Sequence, residues 1–173
     1  MGPKLYWIDS SWPGKVAISA RPRGGDWLED EMEGWREEGV DVVVSLLTNE
    51  ELPELGLESE AESAKRHGLR FMNLPIPDRG VPASSPVAAT FLEELRKQLE
   101  NGRNAAIHCR QGIGRSGMIA AALLVKQGTS PSEAIERVSQ IRGVAVPETE
   151  QQRTWLFDFS PVGTVPSKGS LRQ

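Results

Sequence analysis

His108-Cys109-Arg110-Gln111-Gly112-Ile113-Gly114-Arg115-Ser116-Gly117 stands between a short apolar run at 104–107 and a stretch at 118–126 built almost wholly from small and apolar residues. The first reads as a strand and the second as a helix packed on nearly every side, so strand, Gly-bearing loop and helix N-terminus meet within these ten residues. Folding the loop so that the backbone N–H groups of 110–115 point inward makes an anion nest, to which the helix adds its positive dipole end. Phosphate fits such a nest. Arg115, six residues after Cys109, can close the ring with a planar guanidinium that holds two phosphate oxygens at once. The same positive field favours the thiolate form of a cysteine placed there.

The elements around this loop point to an α/β fold. Residues 5–8 and 16–19 are short strand candidates separated by a turn-rich segment, and they open the sheet. Asp26 is positioned to cap a helix whose apolar positions are Trp27, Leu28, Met32 and Trp35, ended by Gly39. The β-branched run 41–46 predicts a strand buried on both faces, as a sheet covered by helices on either side requires. An acidic helix around 58–67 and a strand at 69–73 follow. Ser84-Ser85-Pro86 opens a long helix with Phe91, Leu92, Leu95 and Leu99 as its buried stripe. Two more helices are predicted from Ser130-Pro131 and from Glu148 to about 159. The expected architecture is a mostly parallel central sheet flanked by helices on both faces, with its site at the strand C-termini.

A chain of 173 residues, 38% hydrophobic and 25% charged, is long enough for one domain with a real core, here 1–159. Residues 160–173, rich in Gly, Pro and Ser, read as a flexible tail. No apolar run reaches the roughly 18 residues of a membrane span, and no signal-peptide core follows Met1, so a cytoplasmic location is expected. One cysteine means no internal disulfide. From 26 to 62 there are fourteen acidic residues against the single base Arg36, a face that repels nucleic acid and reads as a solvated helical surface. His67 lacks ligand spacing to any acid or thiol; no metal site and no cofactor are expected.

His-Cys-five residues-Arg-Ser resembles the signature loop of the cysteine-dependent protein tyrosine phosphatase superfamily, and Gly-Ile-Gly-Arg-Ser-Gly is similar to its tyrosine-specific members. The loop of rhodanese-type sulfurtransferases resembles it too but is shorter by a residue. The resemblance covers about 16–159 and implies the phosphotyrosine protein phosphatase-like fold. Asp78, thirty-one residues before Cys109 in the segment Pro75-Ile76-Pro77-Asp78-Arg79-Gly80-Val81-Pro82, looks like the general acid that small dual-specificity phosphatases carry on a mobile loop.

The resemblance implies phosphomonoester hydrolysis through a phosphocysteine, with these roles carried over from the family. Cys109 is the nucleophile, and Arg115 clamps the phosphate together with Arg110, Gln111, Gly112, Ile113 and Gly114. Ser116 helps the sulfur leave, and His108 fixes the loop through the backbone. Glu148-Thr149-Glu150-Gln151-Gln152 looks like the family's glutamine motif, with Gln152 the match by register and Gln151 its neighbour as the residue that positions water. Glu148 stands where many tyrosine-specific members have another glutamine. Glu51 is the candidate to orient a loop arginine, against the plainer reading of an exposed helical glutamate.

The implied substrate is a protein carrying phosphotyrosine, or phosphoserine and phosphothreonine, handled by a monomer that binds neither membrane nor nucleic acid. A phosphoinositide or other small phosphomonoester is the alternative, since Arg110 adds a charge beside the cysteine, although lipid phosphatases of the superfamily have a lysine at the place of Ile113. A sulfurtransferase and a non-catalytic phospho-binding module are the remaining classes.

Overall fold

A computed structural model describes residues 2–159. The expected tail at 160–173 lies outside the described residues. Five strands, β1 (Tyr6–Ile8), β2 (Val16–Ser19), β3 (Val42–Ser45), β4 (Arg70–Asn73) and β5 (Ala105–His108), form one sheet in the order β1-β2-β5-β3-β4. Only the β1–β2 pair is antiparallel; β2 and β3 flank β5 in parallel, with Ser19 and Ser45 both level with His108.

Alternation along the central strands divides the interior in two. Val16 and Ile18 of β2, Val42 and Val44 of β3, and Ala105 and Ile107 of β5 face one core, while Ala17, Val43 and Ala106 face the other. The first core is closed by α4 (Ser85–Glu100), α5 (Gly114–Lys126), α6 (Pro131–Arg142) and α7 (Glu150–Asp158), through Leu92, Leu95, Leu99, Val138 and Leu156 among others. The second is closed by α1 (Leu28–Glu37), α2 (Glu51–Leu55) and α3 (Glu60–Arg66), through Leu28, Met32, Trp35 and Ala64. The mostly parallel sheet with helices on both faces is thus the observed fold.

Because β3 sends its chain to α2 on one face and β5 sends its chain to α5 on the other, the two connections diverge above adjacent strand ends. That divergence opens a crevice at the C-terminal edge of the sheet, where α/β folds place ligands.

Local chemistry explains most boundaries. Ser84 and Ser130 accept N–H bonds from Val87 and Glu133 to cap α4 and α6, each with a proline in the first turn. The start of α1 differs from expectation. Asp26 does not cap it; it lies in a 3-10 turn, Gly25–Trp27, that leads into the helix. The path of the chain here is set by packing instead: Gly25 N donates to Gly56 O at 2.9 Å, and a Cβ on Gly24 would sit 2.1 Å from Leu55 O. Trp27 consequently turns outward, beneath the Arg23 guanidinium, rather than into the core.

The acidic segment is not uniformly solvated either. Glu31, Glu51 and Glu60 are buried, and each meets a cation or a histidine: Arg23, Arg115 and His108 respectively. His67 pairs with Glu29 at 2.8 Å on the outer surface. No group of metal-ligating side chains, and no helix long and apolar enough to cross a membrane, occurs among the described residues.

Candidate active site

The loop between β5 and α5 is held from two sides, the end of β2 and the end of α6. Gly112 adopts φ +70°, and its Cα lies so close to the end of β2 that a Cβ would sit 2.5 Å from the carbonyl carbon of Ser19. Arg142, at the end of α6, donates to Gly112 O at 3.0 Å and to Gln111 O at 3.1 Å. On the β2 side, Arg21 N donates to Arg110 O at 3.1 Å. These three carbonyls are therefore occupied by donors from neighbouring elements. Gly112→Ala combines a left-handed backbone with a clash against backbone atoms that cannot swing aside. It is expected to lower stability by about 2–4 kcal/mol and to distort the loop, read as a lower denaturation midpoint with loss of phosphate binding.

Arg115, on the first turn of α5, is buried, and its donors can be counted. Nη1 bonds Glu51 Oε2 at 2.8 Å and Ile76 O at 2.8 Å; Nη2 bonds Glu51 Oε1 at 2.9 Å and Asp78 Oδ1 at 3.2 Å. Four of its five N–H groups are thus directed, which leaves Nε. The two Nη atoms face a buried carboxylate on α2, and the Nε–Nη2 edge is the one turned to Asp78.

Burial pushes the Glu51 carboxyl up, but hydrogen bonds from Arg115, Arg110 and the Thr48 N–H outweigh it and hold the group at about 2. Arg115 moves the other way. Burial disfavours its charge, yet the Glu51 carboxylate, followed by the fields of Cys109 and Asp78, raises its affinity for the proton. Glu51, weighed in sequence against an exposed glutamate, is the buried counter-ion of Arg115.

A cavity of about 210 Å³ opens here, lined by Asp78, Arg79, Cys109, Arg110, Gln111, Gly114, Arg115 and Glu148. A thiol, a guanidinium and a carboxyl group on a separate loop thus share one wall at the C-terminal edge of β5. Residues 18–129, which run from β2 past the end of α5, match the family described as "Tc-R-P: Polymorphic toxin system, DSP-PTPase phosphatase". The chain belongs to this DSP-PTPase phosphatase family.

Relatives agree with that membership. Cyclin-dependent kinase inhibitor 3 of Rattus norvegicus is 30% identical over 134 residues, taking in 76% of this chain and 63% of that protein, so the match spans less than two thirds of the curated relative. Tk-PTP in its active form is 30% identical, with a TM-score of 0.72 over 90% of this chain and 95% of that one. Kinase associated phosphatase, solved with its catalytic cysteine replaced by serine, superposes with a TM-score of 0.83 over 92% of this chain and 94% of that one. At 24% identity it shows the shared fold.

Within this DSP-PTPase domain the remaining candidates fall in different places. The Arg110 guanidinium is tied to Glu51 at 2.8 Å and to Glu54 at 3.0 Å. Ile113 packs against the core and Gly112 faces β2, so neither lines the cavity. Ser116 is fully buried, and its hydroxyl has no hydrogen-bond partner among the described residues.

His108 turns away from the cavity. Its Nδ1 lies 3.2 Å from the Cys109 carbonyl oxygen and its Nε2 lies 2.5 Å from Glu60 Oε1, within the second core beside Trp35.

Gln152 lies at the start of α7, with its Oε1 3.1 Å from where a Cβ on Gly114 would sit. It is fully buried and completes a capping box: its Oε1 accepts from Glu148 N and Thr149 N while Thr149 Oγ1 accepts from Gln152 N. Its Nε2 donates to Gly80 O at 3.1 Å. The amide is engaged in the cap and the loop, Gln151 is exposed, and the member of the motif in the cavity wall is Glu148.

Sequence reading missed Glu60 and Arg142. The i, i+3, i+4 spacing of Glu60 with the small residues Ser63 and Ala64 was the one local signal, and the fold shows that face buried.

Proposed function

We propose that the protein hydrolyses phosphomonoesters through a phosphocysteine intermediate, acting as a protein tyrosine or dual-specificity phosphatase. The observation that carries this reading is the shared cavity of Cys109, Arg115 and Asp78, with Arg115 braced from behind by Glu51. The phosphate takes the Nε–Nη2 edge of Arg115 and thereby displaces the Asp78 carboxyl group, which enters the reaction protonated, as a general acid must. The Cys109 thiolate attacks phosphorus; the S–P bond forms as the P–O bond to the leaving group breaks, and Asp78 gives its proton to that oxygen. Water then attacks the phosphocysteine, Asp78 takes up a proton from it, and sulfur leaves as thiolate with inorganic phosphate as product. Ser116, whose hydroxyl is unengaged among the described residues, supplies a hydrogen bond to the departing sulfur in this reading.

Two features favour a phosphoprotein over a phosphoinositide. A cavity of about 210 Å³ is smaller than the roughly 300–1,000 Å³ of sites that enclose a whole small ligand, so it takes the phosphate and its nearest atoms and leaves the rest of the substrate outside. Moreover, each cation in the cavity wall is already paired with a carboxylate: Arg79 with Glu148, Arg110 with Glu51 and Glu54, Arg115 with Glu51 and Asp78. A second phosphate on the same substrate would compete with those acids rather than meet a free charge.

Hydrolysis of a chromogenic aryl phosphate, run beside thiosulfate-to-cyanide transfer, tests the reaction class. Phosphate release without sulfur transfer is expected, and the reverse would replace the reading by a sulfurtransferase. A panel of phosphopeptides and phosphoinositides then decides the substrate class. Asp78→Asn is expected to lower the rate about 10²- to 10⁴-fold on esters of weakly acidic alcohols or phenols and little on p-nitrophenyl phosphate. Equal losses across leaving groups would move the acid elsewhere.

A further inference from the structure

Asp78 has a difficulty that its own contacts do not solve. Among the described residues its one hydrogen bond to the fold is the 3.2 Å contact from Arg115 Nη2, made on the edge that a bound phosphate takes over. When the acid is needed, that tether is gone. Something else must keep the loop in place at that moment.

The loop leaves the core at Ile76, which is fully buried and whose N donates to Leu46 O, and beyond it Gly80 N turns back onto Pro77 O. Over 78–80 the other hydrogen bonds to the rest of the protein, among the described residues, all come from the start of α7. Arg79 Nη1 pairs with Glu148 Oε1 at 2.9 Å, Thr149 Oγ1 donates to Arg79 O at 3.4 Å, and Gln152 Nε2 donates to Gly80 O at 3.1 Å. Arg79 is also the one non-glycine residue with positive φ among the described residues, at 62°. Such a backbone is uncommon for a side chain of this kind and persists where its surroundings over-determine it.

We propose that the Arg79–Glu148 ion pair, together with the Gln152 amide on Gly80 O, is a latch from α7 that holds Asp78 over the scissile bond after phosphate has displaced it from Arg115. Arg79, Glu148 and Gln152 are then positioning residues. They act through Asp78 and stay in place while the Asp78–Arg115 contact exchanges. The proposal rests on Asp78 being the general acid.

A leaving-group series of aryl phosphates tests both at once, with Asp78→Asn as the reference for complete loss of the acid. Arg79→Gly suits this test because glycine adopts the same φ without strain, so the loop can keep its path while the pair is lost. The expected result for Arg79→Gly and for Glu148→Gln is a fall in kcat of about 10-fold on phenyl phosphate and less than about 3-fold on p-nitrophenyl phosphate. KM and inhibition by inorganic phosphate should stay as in the parent. The double variant should lose no more than either single one, as expected when both remove the same interaction. Arg79→Lys, which keeps a cation within reach of Glu148, should restore most of the rate.

If Asp78→Asn steepens the leaving-group dependence while Arg79→Gly and Glu148→Gln leave it at the parent slope, the latch is wrong and the acid assignment stands. If Asp78→Asn leaves the slope unchanged, the acid assignment fails and takes the latch with it. A rise in KM and in the phosphate inhibition constant, with losses equal on all leaving groups, would make Arg79 a phosphate ligand and overturn the positioning role.

Discussion

Cys109→Ser is expected to reduce turnover by on the order of 10⁴-fold or more while leaving the fold and phosphate binding in place. Cys109 is buried at the end of β5, and serine fills nearly the same volume, so packing changes little. What changes is the nucleophile. A hydroxyl must give up its proton to attack, and Asp78, the acid across the cavity, is needed protonated for the leaving group in that same step; serine is also a far weaker nucleophile than a thiolate. Arg115, Glu51 and the loop carbonyls held by Arg142 do not involve sulfur, so the anion seat survives. The variant should therefore form a stable complex with a phosphopeptide that the parent turns over, measurable by calorimetry against the same peptide without phosphate. Appreciable hydrolysis by Cys109→Ser would remove the thiol from the reaction altogether.

Why the centre of this site was legible while its supports were not follows from chain connectivity. Strand, nest, thiol and guanidinium lie within the single segment from Ala105 to Gly117, so their spacing alone places them together. The sheet was legible for a related reason: the runs from Val16, Val42 and Ala105 are apolar through three consecutive positions before ending in Ser19, Ser45 and His108, as strands with a core on each face require.

The supports reach the site from far along the chain. Glu60 is 48 residues from His108, and Arg142 is 31 residues from Gln111. Fourteen acids crowd the stretch from 26 to 62, and no local pattern separates Glu51 from its solvated neighbours; only the tertiary position of Arg115 does.

Gln152 shows a different limit. Thr149 and Gln152 have the spacing of the glutamine motif, and the same spacing is that of a capping box, in which the threonine and the residue three positions later satisfy each other's backbone N–H. Sequence admits both readings. The side chain has one amide, and here the helix N-terminus and the Gly80 carbonyl use it.

The largest stability effect is expected at Glu51. Glu51→Gln keeps the shape of the side chain but leaves the buried Arg115 facing an amide instead of a carboxylate. Removing one partner of a buried pair strands the other charge, which typically costs about 3–5 kcal/mol. Arg110 loses one of its two carboxylates at the same time. For a chain of this size, denaturation at neutral pH should move down by roughly 10 °C. Activity should fall by about 10²-fold as the Nε–Nη2 edge of Arg115 loses its brace.

Acid adds an independent check on the sign. The Glu51 carboxyl sits at about 2 in the folded protein against an ordinary 4.5, a depressed value. The unfolded chain therefore binds this proton first as pH falls. The contribution of the pair is fully present above about pH 4.5 and drains away as pH drops towards 2, by on the order of 3 kcal/mol in total. Glu51→Gln has no such group to titrate. Its stability deficit relative to the parent, measured by urea denaturation at several pH values, should be largest near neutrality and should narrow steadily below pH 4.5. A deficit of constant size from pH 7 to pH 3 would mean that packing, and not the Glu51–Arg115 charge pair, is what the substitution removes.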